Sequence, residues 1–239
     1  LLALEKTHLV IVARRKERLE ELAAEWEKAH GITVTVIAMD LSRPGAAQEI
    51  FDTTEKAGIH PDYLVNNAGF GGRGEFAERA PEKDLSMIHV NVTALAGLTR
   101  LYLPGMIARK SGAILNMAST AAYLPGPYQA VYYATKAFVL SFSQALAHEL
   151  KGTGVTSTAY LPSATTSEFA SRGDLEDSMI FRAKTDAADK VARQAIIAMK
   201  SGKLVAAYRR SQAFALRYLV PFLPRKLMLK ASAKAMETA

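Results

Sequence analysis

Short apolar runs of strand length alternate with longer stretches whose apolar residues recur at helical spacing. Residues 8–13 (HLVIVA) are a compact apolar run and predict a strand. Residues 15–30 are charged, with Leu19, Leu22, Ala23 and Trp26 on one helical face, and Gly31 is placed to end the helix. The same reading predicts strands over 32–39, 63–65, 113–117, 155–160 and 204–207. It predicts helices over 44–58, 81–109 (bent near Pro104), 128–150 and 186–200, with a long polar loop over 162–185. Strands that are apolar throughout and alternate with helices imply an α/β fold, a parallel sheet covered on both faces. No internal repeat or low-complexity linker divides the sequence, so a single domain over 1–239 is expected.

Composition narrows the chemistry. The chain has no cysteine, which excludes a disulfide scaffold, a Cys-ligated metal and a thiol nucleophile. It favours a cytoplasmic setting. The five histidines do not cluster and no metal-binding signature is present, so no metal site is expected. The formal charge is +7, and residues 203–239 account for all of it, with eight bases and one acid. Such a tail suggests an anionic surface. No run of about 18 apolar residues predicts a transmembrane helix. The sequence opens Leu1-Leu2-Ala3-Leu4-Glu5-Lys6 without Met, and reads like a helix already under way.

Several motifs could carry function. Gly69-Phe-Gly71-Gly-Arg-Gly74 matches G-x-G-x-x-G after a strand, but such a fingerprint should open a helix, and Pro81 starts the next one. The alternative is a flexible glycine-rich loop beside a site. Tyr132 and Lys136 stand at i and i+4 on a predicted helix and share a face. A cation one turn away stabilises a phenolate and draws its pKa toward neutrality; such pairs also occur by chance. Ser119 follows a buried strand at the edge where open α/β sheets bind ligands, or simply begins a loop. Asn67 and Asn91 are polar residues in apolar surroundings, for which satisfied buried amides are the plain reading. Arg14-Arg15 directly follows the strand 8–13, suited to a 2′-phosphate, or to an ordinary helix start.

The order of these pieces resembles the short-chain dehydrogenase/reductase family: Arg14-Arg15, Asp40-Leu41, Asn66-Asn67-Ala68-Gly69, Asn91, Ser119, then Tyr132 to Lys136. The resemblance covers roughly residues 8–200 and implies a Rossmann-type, doubly wound sheet binding NADP(H). It implies Tyr132 as general acid/base and Lys136 as the group that lowers its pKa and holds the nicotinamide ribose. Ser119 would polarise the substrate carbonyl, and Asn91 would hold a water linking Lys136 to solvent. Asp40 and Leu41 would flank the adenine, Asn67, Ala68 and Gly69 would line the cofactor, and Arg14 and Arg15 would meet the 2′-phosphate. Pro162-Ser163 stands where the family has Pro-Gly, with Thr165 and Ser167 at the positions that meet the carboxamide. The family's Thr-Gly-x-x-x-Gly-x-Gly motif and the first strand before it are absent from this sequence. A preceding segment of roughly 25–30 residues, enough for a strand, turn and helix, is therefore expected.

The expected function is hydride transfer between NADP(H) and a carbonyl or alcohol substrate. The substrate is expected to be hydrophobic because the stretches around 121–124, Tyr128 and Phe169 are apolar. The 162–185 loop is expected to act as a lid. Two other readings stand beside it: a nucleotide-binding regulatory protein without turnover, and a membrane-associated protein using its basic tail. The resemblance further implies a homodimer or homotetramer through 81–109 and 128–150. No nucleic acid partner is expected, and residues 203–239 allow weak membrane contact.

Overall fold

The alternating pattern becomes alternating strands and helices in the computed structural model, which describes residues 1–182 and 185–237. The chain divides into two compact units, residues 1–59 and 60–239.

In the first unit a short turn (Ala3–Glu5) precedes β1 (Leu9–Ala13), α1 (Lys16–His30), β2 (Val34–Ala38) and α2 (Ala46–Lys56). β1 and β2 pair in parallel, from Leu9 opposite Val34 to Ala13 opposite Ala38. Ala23 and Trp26 of α1 pack with Leu9, Ile11, Val34 and Val36, so the helical face read from the sequence is the one that covers the strands. Gly31 closes α1 at φ 64° while its N–H bonds Glu27 O, a left-handed cap that favours glycine.

The second unit begins with β3 (Tyr63–Asn66). It continues with α3 (Pro81–Ile88), a π-helical segment (His89–Ala94) and α4 (Leu95–Arg109). β4 (Gly112–Met117), a 3₁₀ turn (Thr120–Tyr123), α5 (Ala130–Glu149) and β5 (Val155–Leu161) follow. The remaining elements are β6 (Thr165–Thr166), α6 (Phe169–Arg172), α7 (Met179–Arg182), β7 (Asp186–Ala187), α8 (Ala188–Lys200), β8 (Val205–Ala207), α9 (Arg210–Phe214), a π-helical segment (Ala215–Leu219), a 3₁₀ turn (Val220–Phe222) and α10 (Arg225–Met236).

Strands β3, β4, β5 and β8 form a parallel sheet in the order β3-β4-β5-β8. Val191, Ala195 and Met199 of α8 pack on Leu115 and Tyr160, while Leu95 of α4 and Val139 and Leu140 of α5 pack with Ala118, Ala159 and Leu161. Helices therefore cover both faces, which is why most residues of β4 and β5 are buried, whichever side they face.

Two expectations change. The interruption of the long helix lies at His89–Ala94, while Pro104 sits inside continuous α4. The segment 162–185 is not structureless. Thr165–Thr166 pairs with Asp186–Ala187, and Leu175 and Ser178 are buried, anchors that a polar composition conceals; residues 183 and 184 of this segment lie outside the described residues. The basic tail is packed in part: α10 buries Met228, Ser232 and Met236, and Ser232 Oγ donates to Pro125 O at 2.8 Å.

Candidate active site

The C-terminal ends of β3, β4 and β5 carry the polar residues of the second unit. Just past β4, Ser119 caps the 3₁₀ turn, its Oγ accepting from Ala121 N at 3.1 Å. α5 begins at Ala130 and turns Tyr132 and Lys136 inward, one above the other, and both are buried. Ser119 lies near enough to the Tyr132 hydroxyl to lower its pKa. Lys136 Nζ donates to Met117 O at 2.7 Å and stands 5.8 Å from the centre of the Tyr132 ring. The helical spacing and the strand end thus bring Ser119, Tyr132 and Lys136 into one cluster.

Burial dominates the electrostatics of this cluster. It pushes the Tyr132 hydroxyl up to about 12, against a smaller lowering by Ser119. It brings the Lys136 ammonium down to about 8. The lowering of the Tyr132 pKa by its cationic neighbour, expected from the i, i+4 spacing, does not govern the chain alone, where burial of the phenolate does.

Asn91 lies in the π-helical segment and is buried. Its Oδ1 accepts from Phe70 N at 3.1 Å. Its Nδ2 donates to Phe70 O and to Thr135 Oγ1, each at 3.0 Å. Thr135 Oγ1 in turn donates to Tyr132 O at 2.7 Å. The extra residue of a π turn sits at the position from which Asn91 ties the loop after β3 to the helix bearing Tyr132.

That loop is packed, in contrast to the flexible reading. A Cβ on Gly69 would stand 3.0 Å from Asn91 Oδ1 and 3.2 Å from Lys136 Nζ. A Cβ on Gly71 would stand 2.9 Å from the Phe169 ring and 3.3 Å from that of Tyr132. The glycines answer to close approach, and the run opens no helix, since α3 begins at Pro81 with Ala80 as its cap. Phe169 in turn rests on Tyr132 with ring centres 5.4 Å apart.

Asn67 and Ala68 are exposed. The buried amide of this pair is Asn66, correcting the reading of Asn67 as the residue in apolar surroundings. Asn66 Nδ2 donates to Asn116 Oδ1 at 2.8 Å and to Thr99 Oγ1 at 3.1 Å, and Asn116 Nδ2 donates to Ser143 Oγ at 2.9 Å. This network joins β3, β4, α4 and α5 beneath the site and was missed in the sequence. Its signal is an Asn in each of two neighbouring strands, at register partners.

Pro162 O accepts from Thr120 N at 3.2 Å, joining the end of β5 to the Ser119 turn. Thr165 Oγ1 donates to Ser163 O at 2.9 Å, and Ser167 Oγ accepts from Phe169 N at 3.2 Å.

In the first unit, Arg14 and Arg15 follow β1 and are exposed, with Arg15 at the N-cap of α1. Asp40, after β2, accepts from Ser42 N at 2.9 Å and Ser42 Oγ at 2.7 Å. These bonds, with the positive charges of Arg14 and Arg43, hold its carboxyl below the usual carboxylate range. Leu41 is half-buried.

The sequence model of the short chain dehydrogenases matches residues 1–176. A short chain dehydrogenase of Pseudocercospora fijiensis is 39% identical over 165 residues, covering 68% of this chain and 53% of its own length. The very-long-chain 3-oxoacyl-CoA reductase of Homo sapiens is 35% identical over 160 residues, covering 64% of this chain and 50% of its own. The chain therefore spans about half the length of the curated relatives it matches. Among solved structures, a short-chain dehydrogenase from Sphingobium yanoikuyae in complex with NADPH superimposes with a TM-score of 0.83 at 30% identity, covering 100% of this chain and 91% of that one. A 7beta-hydroxysteroid dehydrogenase gives a TM-score of 0.84 at 25% identity, covering 97% and 89%. With a parallel sheet covered on both faces and the Ser119, Tyr132 and Lys136 cluster at its strand ends, the chain belongs to the short chain dehydrogenase family.

Proposed function

We propose that the protein is an NADP(H)-dependent oxidoreductase that moves a hydride between the nicotinamide and a hydrophobic carbonyl or alcohol substrate, with Ser119, Tyr132 and Lys136 as its catalytic residues. The observation that carries this reading is the gathering of Ser119, a buried Tyr132 and a buried Lys136 ammonium, held by Met117 O, at the end of β4.

The residues fit a cofactor. Among the described residues the Lys136 ammonium finds one acceptor, Met117 O, and an ammonium has three hydrogens to place. A pair of ribose hydroxyls would take the remaining two. Gly69 leaves the Lys136 side open, since a Cβ there would crowd the nitrogen. Asn67, Ala68, Pro162, Thr165 and Ser167 would line the nicotinamide half. In the first unit Arg14 and Arg15 would receive a 2′-phosphate, with Asp40 and Leu41 beside the adenine. The relative from Sphingobium yanoikuyae holds NADPH, which supports the choice.

When bound, the cofactor supplies the hydride that reaches the carbonyl carbon. Ser119 Oγ donates a hydrogen bond to the carbonyl oxygen and stabilises the charge that develops there. Tyr132 delivers its hydroxyl proton to that oxygen, giving the alcohol. The Lys136 ammonium, one turn away, stabilises the phenolate left behind until solvent returns the proton. In the oxidative direction Tyr132 takes the proton from the alcohol. Asn91 fixes the loop and helix that carry these groups. Phe169 over Tyr132 and the apolar turn after Ser119 favour an apolar substrate. The same reading includes a homo-oligomer, for which the exposed Leu85, Ile88 and Phe138 offer an apolar face.

The test follows NADPH absorbance in the full-length protein with a panel of apolar ketones, in wild type and Tyr132→Phe. Turnover that falls about 10²–10⁴-fold in the variant while NADPH binding persists is expected. NADPH binding without turnover on any ketone or alcohol would favour the regulatory reading and overturn this one.

A further inference from the structure

The tail places two kinds of side chain on the surface that a folded body rarely leaves together. α10 is seated by Met228, Ser232 and Met236, four residues apart along one face, and Arg73 Nη1 donates to Met236 O at 3.1 Å. Away from that seam the apolar side chains face solvent. Phe222 is 87% exposed, Phe214 and Leu219 58% each, and Tyr218, Leu223 and Leu227 are also exposed. These residues fall within fourteen positions of one another, a concentration of exposed apolar side chains of the kind that marks an interaction surface. Arg217, Arg225, Lys226 and Lys230 are interspersed with them and exposed. No acidic residue occurs from 203 to 236.

We infer that this face docks on an anionic bilayer surface, with Phe222, Leu219 and Leu227 entering the interface and the bases meeting lipid phosphates. Exposed apolar side chains interspersed with cationic ones meet both requirements of interfacial binding. The long basic side chains can lay their stems along apolar surface and keep their charges at headgroup depth. A second copy of the chain is the poorer occupant. A twofold contact would set this face against itself, bringing bases onto bases with no acid in the run to neutralise them, and like charges juxtaposed across an interface oppose association. The crossing of a membrane is a different matter: among the described residues no helix is long and apolar enough. Docking stands independently of the reading of the active site, because none of Leu219, Phe222, Leu227, Lys226 and Lys230 is placed among its catalytic or cofactor-binding residues.

The experiment is co-sedimentation of the full-length protein with vesicles of phosphatidylcholine alone and of phosphatidylcholine mixed with phosphatidylglycerol. Binding to the mixed vesicles alone, weakening as salt is raised, is expected. Lys226→Gln with Lys230→Gln should weaken it about 25-fold, about fivefold for each base. Leu219→Ser with Phe222→Ser should abolish it. Both pairs are exposed, so circular dichroism and turnover in vesicle-free solution should match wild type. Equal binding to neutral and anionic vesicles would overturn the inference. So would no binding to either, with Leu219→Ser and Phe222→Ser instead lowering the mass seen by sedimentation velocity, the result that a second copy on this face predicts.

Discussion

Lys136 Nζ holds Met117 O at 2.7 Å, so the end of a core strand fixes a cation in the interior. Burial brings this ammonium from 10.5 down to about 8. Below pH 8 the folded protein therefore holds a charge that the unfolded chain solvates more favourably. The unfolded state binds more protons between pH 8 and 10.5, so stability rises with pH in that window. Lys136→Met should be more stable than wild type at pH 7, by about 1–3 kcal/mol. The difference should shrink as pH climbs from 8 toward 10, and turnover should be lost throughout. Thermal melts of both proteins across this range check the sign; a variant less stable than wild type at pH 7 would show that the Met117 bond outweighs desolvation.

Asn91 makes three hydrogen bonds to Phe70 and Thr135, and removing them leaves polar groups near the core without partners at about 1–3 kcal/mol each. Asn91→Leu should lose about 2–4 kcal/mol of stability by denaturant titration. If Asn91 acts by positioning, kcat should fall more than substrate KM rises. A variant with wild-type kcat would assign Asn91 to stability alone.

Two glycines separate function from strain. Gly69→Ala sets a methyl 3.0 Å from Asn91 Oδ1 and 3.2 Å from Lys136 Nζ, and should weaken NADPH binding at least tenfold while shifting Tm little. Gly31→Ala meets nothing within 4 Å but keeps φ at 64°. It should cost about 1–2 kcal/mol through left-handed strain and leave kcat/KM unchanged. The two effects exchanged between the positions would contradict both assignments.

Arg14 lies close enough to Asp40 to help keep its carboxyl ionised, leaving the guanidinium its other donors for a phosphate. Charge-assisted hydrogen bonds of about 1.5–3 kcal/mol imply a preference of roughly 10- to 10³-fold for NADPH over NADH. The ratio of kcat/KM values should collapse in Arg14→Ala or Arg15→Ala. Equal use of both cofactors by wild type, or a preference surviving both substitutions, would remove the arginines from cofactor choice.

The alternation of strands with helices and the positions of Ser119, Tyr132 and Lys136 were legible because they rest on local rules. Apolar runs mark buried strands, and residues four apart on a helix share a face. What escaped depends on tertiary partners. Asn66 and Asn67 are adjacent and chemically alike, and only the register of β3 on β4 decides which is buried. The anchoring of 162–182 by Leu175 is hidden by a polar composition. The balance between burial and charge at Tyr132 depends on how much water the fold removes, which spacing alone does not report.

The π-helical segment also bears on how this protein could be altered. A π turn holds one residue more than the α-helix around it. Deleting a single residue within 89–94 would let α3 and α4 join as one regular helix, with every hydrogen bond at the usual spacing. The helices on either side would keep their phase, because the wide turn already absorbs the extra residue, and Leu95 and Thr99 would keep their places in the core. The widening from which Asn91 reaches Phe70 and Thr135 would be lost. The more regular helix and the working helix are thus different objects, and selection for thermal resistance alone would be expected to erase the irregularity along with the activity.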